Sequence, residues 1–161
     1  MTKKPLNTTQ EGSTLIIALV MLLLISLLAV GGMQGSILQE RMASNSHDRS
    51  IAFQASEAAL RQAEEDMMGN LGTRQTAAST ARLTTAWDWD GSNPAASGTG
   101  SVGTQVNSEP VYHLAQLALI CGSELGGNVR CYERFQATSR GVGGSAQAIA
   151  ITQSTVLLPP E

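Results

Sequence analysis

The chain has few aromatic residues, few cysteines and no excess of basic charge, and these shortages remove several classes of function. Only two tryptophans, two tyrosines, two phenylalanines and two cysteines occur in 161 residues, and the net charge is −3. No basic stripe indicates nucleic-acid binding. His47 and His113 stand at no telling spacing from a nucleophile or a paired carboxylate. We therefore predict a protein that is not an enzyme, binds no nucleic acid and uses no cofactor or metal.

Charge is also missing from one long stretch near the N-terminus. No charged residue occurs from Gly12 to Gln39, and Leu15–Val30 is apolar except for Ser26. As an α-helix this stretch would be roughly 42 Å long, enough to cross the hydrocarbon core of a bilayer. A soluble core helix would carry polar residues every third or fourth position. We therefore predict a transmembrane segment at about residues 13–35.

The flanks of this segment predict its orientation. Lys3 and Lys4 precede it, whereas Glu40 and Arg41 follow it without basic excess. The positive-inside rule then leaves the N-terminus in the cytoplasm and places the rest of the chain outside. Residues 29–31 roughly match the small-x-small pattern of a secretory cleavage site, which would remove the segment instead. Retention is favoured, because the helical pattern continues beyond it.

That helical pattern reaches residue 68. Proline is absent from Met33 to Met68, and glycine is absent after Gly35. Alanines at positions 52, 55, 59 and 63 form one stripe at helical spacing. We predict a single helix over residues 13–68, of roughly 80 Å, whose narrow alanine face packs against a small sheet. A coiled coil is the alternative, although the stripe lacks the large a and d residues of such a seam.

The remainder, residues 69–161, reads as a head with antiparallel strands. Residues 69–110 have the composition of loops, whereas Val111–Ile120, Glu133–Ser139 and Ala146–Val156 read as strands. Alternation in the second strand places Phe135 and Ala137 on one face, and residues 134, 136 and 138 on the other. The predicted fold class is α+β, with three or four strands covering the helix.

One stretch inside the loop region stands out, WDWDGSNP at residues 87–94. Asp88, Asp90 and Asn93 resemble the start of a calcium loop, but the glycine and the final acidic residue of that motif are misplaced. A turn that folds both tryptophans onto the head is the favoured interpretation. The alternative is a partner-binding loop carried by Trp87 and Trp89, because exposed tryptophans favour interfaces.

Taken together, these residues resemble a family, the PilX-type minor pilins of the type IV pilus. A short basic leader ending in glycine precedes a long apolar helix, as in type IV prepilins. The run LQERMASNSHDRSIAFQASEAALRQAEE, Leu38–Glu65, resembles the N-terminal region of the PilX type, and YERFQATSRGVGGSAQAIAITQST, Tyr132–Thr155, resembles its closing β-hairpin. The resemblance covers residues 10–68 and about 130–156.

The resemblance implies a processing route and a set of partners. Residues 1–12 would be a leader that the prepilin peptidase removes between Gly12 and Ser13 on the cytoplasmic side. The mature chain would be a single-pass inner-membrane protein with a periplasmic head, later carried into a pilus filament at the cell surface. Its partners would be the inner-membrane assembly platform, other minor pilins, the major pilin and, at the tip, a large adhesin.

Two positions depart from the pattern of the family. Pilins usually begin the mature chain with phenylalanine or methionine and carry glutamate as its fifth residue, whereas this chain has Ser13 and Ile17 there. In the filaments that the sequence resembles, that glutamate is thought to neutralise the terminal amine of the subunit ahead. Isoleucine offers no such partner, so Ile17 predicts a subunit that helps to start assembly at or near the filament tip.

The resemblance also bears on the two cysteines. Cys121 and Cys131 lie in the part placed outside the membrane, and the family occupies the Gram-negative envelope, whose periplasm is oxidising. We therefore predict a disulfide between them. A metal site is the alternative, for which His113 is the only nearby further ligand.

Two other functions share the predicted anchor. A minor pseudopilin of a type II secretion system would have the same helix but serve protein export. A single-pass envelope protein would use the helix as a tether, and would keep residues 1–12. The run Leu38–Glu65 favours the minor pilin.

Overall fold

The computed structural model describes residues 13–123 and 129–159. In chain order it contains α1 (Ser13–Gly69), α2 (Leu71–Ser79), a 3-10 turn (Ala86–Asp88), β1 (Gly98–Thr99), β2 (Val111–Ser123), β3 (Val129–Val142) and β4 (Ile149–Leu158). The four strands form one antiparallel sheet in the order β1-β2-β3-β4. The predicted α+β class is confirmed, because the second half of the long helix packs against this sheet.

The chain divides into two compact units, Met1–Ser44 and Asn45–Glu161. The described part of the first unit is helix alone, and all of its side chains are exposed. The second unit contains residues 45–69 of α1 together with α2 and the sheet. This half of α1 belongs to the second unit because its buried residues form the centre of the core.

Small side chains form the contact between α1 and the sheet. The predicted alanine stripe is buried as expected, with Ser56 and Met67 beside it. On the sheet, Leu114, Phe135 and Ala137 face the helix and are also buried. Alanine on the helix allows the two backbones to approach, and Leu114, Phe135 and Met67 supply most of the apolar volume.

Glycines allow the closest approaches in this interface. A Cβ atom at Gly141 would run into the backbone of Ala52 and Ser56, and one at Gly100 would lie 2.6 Å from the Cα atom of Ala59. Any side chain at either position would therefore force the sheet or the loop away from the helix. We call this side of the sheet, which faces α1, the inner face.

Polar groups hold the inner face in register with the helix. The hydroxyl groups of Ser56, Ser139 and Thr152 lie within 2.7–3.0 Å of one another, and the Ser139 hydroxyl donates to the Ser56 carbonyl oxygen at 2.8 Å. Because these buried groups satisfy one another, they add specificity without leaving an unpaired polar atom.

Two further contacts join the ends of the helical segment to the sheet. Near its start, the Asp48 carboxylate accepts hydrogen bonds from the backbone N–H groups of Gly144 and Ser145 and from the Ser145 hydroxyl, in the turn between β3 and β4. Near its end, the Tyr112 hydroxyl donates to the Asp66 carboxylate. The segment is thus hydrogen-bonded to the sheet at both ends.

The prediction of loops throughout residues 69–110 was wrong at α2. Asn70 begins this helix by accepting a hydrogen bond from Gly72 N–H at 2.8 Å. Arg74, in α2, donates from Nε to the Met67 carbonyl oxygen at 2.7 Å and from Nη2 to that of Met68 at 3.4 Å. The end of α1 is therefore capped by the helix that follows it.

The opposite side of the sheet, which we call the outer face, is half covered. His113, Thr138 and Trp89 are buried there, and the Trp89 and His113 rings lie 5.8 Å apart. The His113 ring nitrogens face the carbonyl oxygens of Ala95 and Ala81, at 3.3 and 2.9 Å. The segment between those residues thus covers one end of this face. Thr138 was predicted to lie on the sheet face opposite to that of Phe135, and it does. It is buried there because the segment between Ala81 and Ala95 covers it.

Candidate assembly surfaces

The first candidate surface is the part of α1 that precedes Asn45. Its window of highest hydropathy averages 2.9 with none of it buried, so by length and composition this helix could cross a membrane. Within it, the Ser26 hydroxyl donates to the Leu22 carbonyl oxygen at 2.7 Å, which satisfies the single polar group of the apolar block. Such a surface is suited to lipid or to the apolar helices of neighbouring subunits.

Three glycines interrupt this apolar surface. Gly31, Gly32 and Gly35 are helical, and a Cβ atom at any of them would meet nothing within 4 Å. Glycine in a helix interior costs roughly 1 kcal/mol relative to alanine. Nothing within the described chain requires glycine there, so these residues matter for stiffness or for packing against another chain.

The predicted cleavage site, between Gly12 and Ser13, and the departure from the pilin pattern at Ile17 fall at the beginning of this helix. Gly12 lies outside the described residues, and Ser13 is the first residue of α1. Ile17 is 55% exposed and one turn from the start of the helix. Among the described residues, more than half of its side chain is accessible to another molecule.

The disulfide between Cys121 and Cys131 lies in the second unit, where β2 and β3 extend beyond the end of β4. The two cysteines are partners in the ladder, and the pairing register shifts between Leu117 and Ile120. Large apolar side chains are exposed on this projection, at positions 119, 120, 129 and 132. The disulfide therefore joins the strands of an apolar projection at its outer part.

The two tryptophans of the loop region have different environments. Trp89 is 3% exposed, and its indole N–H donates to the Pro94 carbonyl oxygen at 3.0 Å. Trp87 is 80% exposed and lines an open groove of about 520 Å³ with Ala86, Ile149, Ile151 and Gln153. One tryptophan thus fills the core of the outer face, while the other is free to contact a partner.

The Asp90 carboxylate of this loop is occupied by its own turn. The Asp90 carboxylate accepts hydrogen bonds from Ser92 N–H at 2.8 Å, from the Ser92 hydroxyl at 2.6 Å and from Asn93 N–H at 3.1 Å. These bonds, that of the Ser92 hydroxyl first, lower the pKa of Asp90 to about 2. Within residues 13–123 and 129–159, no group of three or more His, Cys, Asp and Glu residues is arranged for a metal ion. The carboxylate therefore serves as a turn-forming acceptor.

Two other titratable groups link α1 to the sheet. The Ser145 hydroxyl, followed by the backbone N–H groups of the same turn, lowers the pKa of Asp48. Burial, followed by the hydrogen bond to Asp66, raises the pKa of Tyr112 far above its usual range. Near neutral pH the Tyr112 hydroxyl is therefore protonated and donates, and the Asp48 carboxylate is ionised and accepts.

Comparison with known proteins gives one match. Residues 11–61, about a third of the chain, match the family model described as PilX N-terminal. Neither the curated proteins nor the solved structures contain a match. The matched residues include the apolar part of α1 and most of the alanine stripe.

Proposed function

We propose that the chain, which carries the PilX N-terminal region, is a PilX-type minor pilin of the type IV pilus that helps to start assembly and stays at or near the filament tip. The family is one of structural pilins. The apolar helix is compatible with single-pass anchoring. We also propose that the N-terminus of the helix faces the cytoplasm and that residues 1–12 are removed.

The observation that carries the tip position is Ile17. No acidic residue occurs in α1 before Glu40, so the start of the helix offers no carboxylate to the terminal amine of a subunit ahead. A charged amine buried in a helical bundle without a partner costs several kcal/mol, enough to prevent docking. The amine of Ser13 could still receive the glutamate of the next subunit. Another subunit could therefore be added behind this chain, but this chain could not be added behind another subunit. This asymmetry suits the most distal position in the filament.

Processing completes this proposal. Residues 1–12 hold Lys3 and Lys4 and end in Gly12, the only glycine ahead of the apolar block. A residue without a side chain lets a peptidase approach the backbone closely. Cleavage after Gly12 on the cytoplasmic side would release the Ser13 amine that the next subunit needs. The head would then be periplasmic until the filament carries it to the cell surface.

The proposed position of this subunit at the filament tip is tested by tagging the head and imaging sheared filaments. Labels at one end support the proposal, and labels spread evenly along the shaft refute it. Ile17→Glu should allow labels to spread along the shaft, because the new carboxylate can neutralise an amine ahead. Ile17→Gln, similar in size and uncharged, and Ile16→Glu, charged one position away, are the matched controls and should leave the labels at the end.

A minor pseudopilin of a type II secretion system is the second candidate, since it would use the same anchor. The match to the PilX N-terminal model favours the pilus. A deletion strain separates the two, because loss of twitching motility supports the pilin and loss of enzyme secretion supports the pseudopilin.

A further inference from the structure

Among the residues that the structure describes, the free edge of β4 has none of the features that protect exposed strands. β4 has ten residues, Ile149–Leu158, and is the last strand of the sheet. No charged residue occurs from Gly141 to Pro160. Folded proteins usually block such an edge with charges, proline, a bulge or a covering segment. At the opposite edge of the sheet, the backbone of β2 has partners. The short strand β1 pairs with Val111 and Tyr112, and the Ser97 hydroxyl accepts a hydrogen bond from Leu114 N–H at 2.9 Å.

The register shows which groups point outward from β4. Gly143 N–H donates to the Ala148 carbonyl oxygen at 2.8 Å, and the ladder continues as Gly141 with Ala150 and Ser139 with Thr152. Hydrogen-bonded and non-hydrogen-bonded pairs alternate in an antiparallel ladder. The even-numbered residues of β4 therefore bond to β3. The odd-numbered residues, 149 to 157, direct their backbone N–H and carbonyl groups to the free edge.

The same odd-numbered residues direct their side chains to the outer face, because their partners in β3 include Thr138 and Arg140. Ile149 and Leu157 are 47% and 56% exposed. Ile149 and Ile151 line the open groove with Trp87. A strand paired to this edge would place alternate side chains beside them and cover apolar surface that is now in water. The unpaired backbone groups and the groove thus point to the same occupant.

We propose that β4 is a docking edge for an extended segment of another protein, which adds a fifth strand to the sheet and places apolar side chains beside Ile149, Ile151 and Trp87. The main-chain hydrogen bonds would hold the segment, and the groove would select its alternate residues. The proposal does not depend on the position of this subunit in the filament.

A second copy of the chain fits this edge less well. β4 runs in the same direction as residues 45–69, since Asp48 binds the turn before β4 and the Ser154 hydroxyl donates to Glu64 at 2.8 Å further along. Antiparallel pairing of two β4 strands would leave the two Asn45 ends on opposite sides of the dimer. Under the proposed function, residues 13–44 anchor each chain in one membrane, so two copies would approach from the same side, and this favours a different protein.

Site-specific photo-cross-linking in cells that assemble the filament tests this proposal. A photoreactive residue replaces Leu157 in the full-length chain, and a matched reporter replaces exposed Ser79 on α2. The Leu157 reporter should yield an adduct whose cross-linked peptide, read by mass spectrometry, belongs to another protein and alternates apolar and polar residues. Absence of an adduct, or an adduct with a second copy of this chain, would overturn the proposal.

Thr155→Pro is the decisive variant. It removes an N–H that points to the free edge and leaves the bonds to β3 in place, so the Leu157 adduct should fall at least tenfold while any Ser79 adduct is unchanged. Thr155→Lys, which keeps the N–H but adds a gatekeeping charge, serves as a second variant should proline unfold the head. An unchanged Leu157 adduct in a folded variant would overturn the proposal.

Discussion

The two faces of the sheet are buried by different kinds of residue and to different extents. The inner face packs against α1 through alanine, glycine and hydroxyl groups at its closest approaches, with Leu114, Phe135 and Met67 filling the space beside them. The outer face is covered by a loop at one end, where Trp89 fills the space, and is open at the other, where Trp87 and Ile149 meet water. The inner face is therefore sensitive to added atoms at Gly141, whereas the outer face is sensitive to lost atoms at Trp89.

The largest effect is expected from removing the cover of the outer face. Trp89→Ala would leave a cavity beside His113 and lose the hydrogen bond to Pro94, so the free energy of unfolding should fall by about 3–5 kcal/mol. Trp87→Ala is the matched control, and as a surface substitution should change it by less than about 0.5 kcal/mol. Denaturant unfolding of the full-length protein in detergent measures both, and equal losses would show that the two tryptophans are equivalent.

A smaller but distinct effect is expected from filling the inner face. Gly141→Ala places a Cβ atom against the backbone of Ala52 and Ser56, so unfolding should become easier by about 1–3 kcal/mol. Gly122→Ala, in β2, meets nothing within 4 Å and should be close to neutral. If both substitutions were neutral in the same denaturant titration, the close approach of helix and sheet would be wrong.

The hydroxyl cluster should contribute less than either packing term. Ser56→Ala removes one of three mutually bonded hydroxyls and leaves Ser139 and Thr152 to bond each other, so the loss should be about 1 kcal/mol. Ser50→Ala, on the exposed side of α1, is the control and should have no measurable effect. A loss at Ser56 no greater than at Ser50 would mean that the cluster adds no stability.

The smallest effect should appear only in acid. Because the pKa of Asp48 is lower in the folded protein than in the unfolded chain, its contribution is complete above the unfolded value of about 4 and is lost as the pH falls through the folded value. Melting temperatures measured across this range should therefore decrease towards acid. Asp48→Asn should reduce this slope, and an identical slope in the variant would exclude Asp48 as its source.

Local patterns in the sequence predicted the inner face well. The alanine stripe and the alternation of Phe135 with Ala137 are periodic signals, and both faces were assigned correctly. The end of α1 at Gly69 lay within one residue of the predicted end. These three features follow from patterns along single elements, which a sequence displays directly. The disulfide between Cys121 and Cys131 is also present, and the two are ladder partners, but its prediction came from the resemblance and not from such a pattern.

The outer face could not be read in the same way. His113 is positioned by the carbonyl oxygens of Ala81 and Ala95, and a backbone carbonyl leaves no mark on the sequence. Thr138 was assigned to the correct face, but its burial there depends on a loop distant in the chain, which strand alternation does not show. α2 was missed because Gly72, Thr73 and Thr76 are poor helix formers, although Asn70 was a readable helix start.

The parallel course of β4 and residues 45–69 has a mechanical consequence. Consider a pull applied at Asn45 along the axis of this helical segment. Asp48 contacts the sheet near the start of the segment, the Ser56 cluster near its middle, and Asp66 near its end. Tension along the helix must therefore slide all three contacts at once rather than peel them apart one by one. A load applied in this direction is therefore shared by all three contacts.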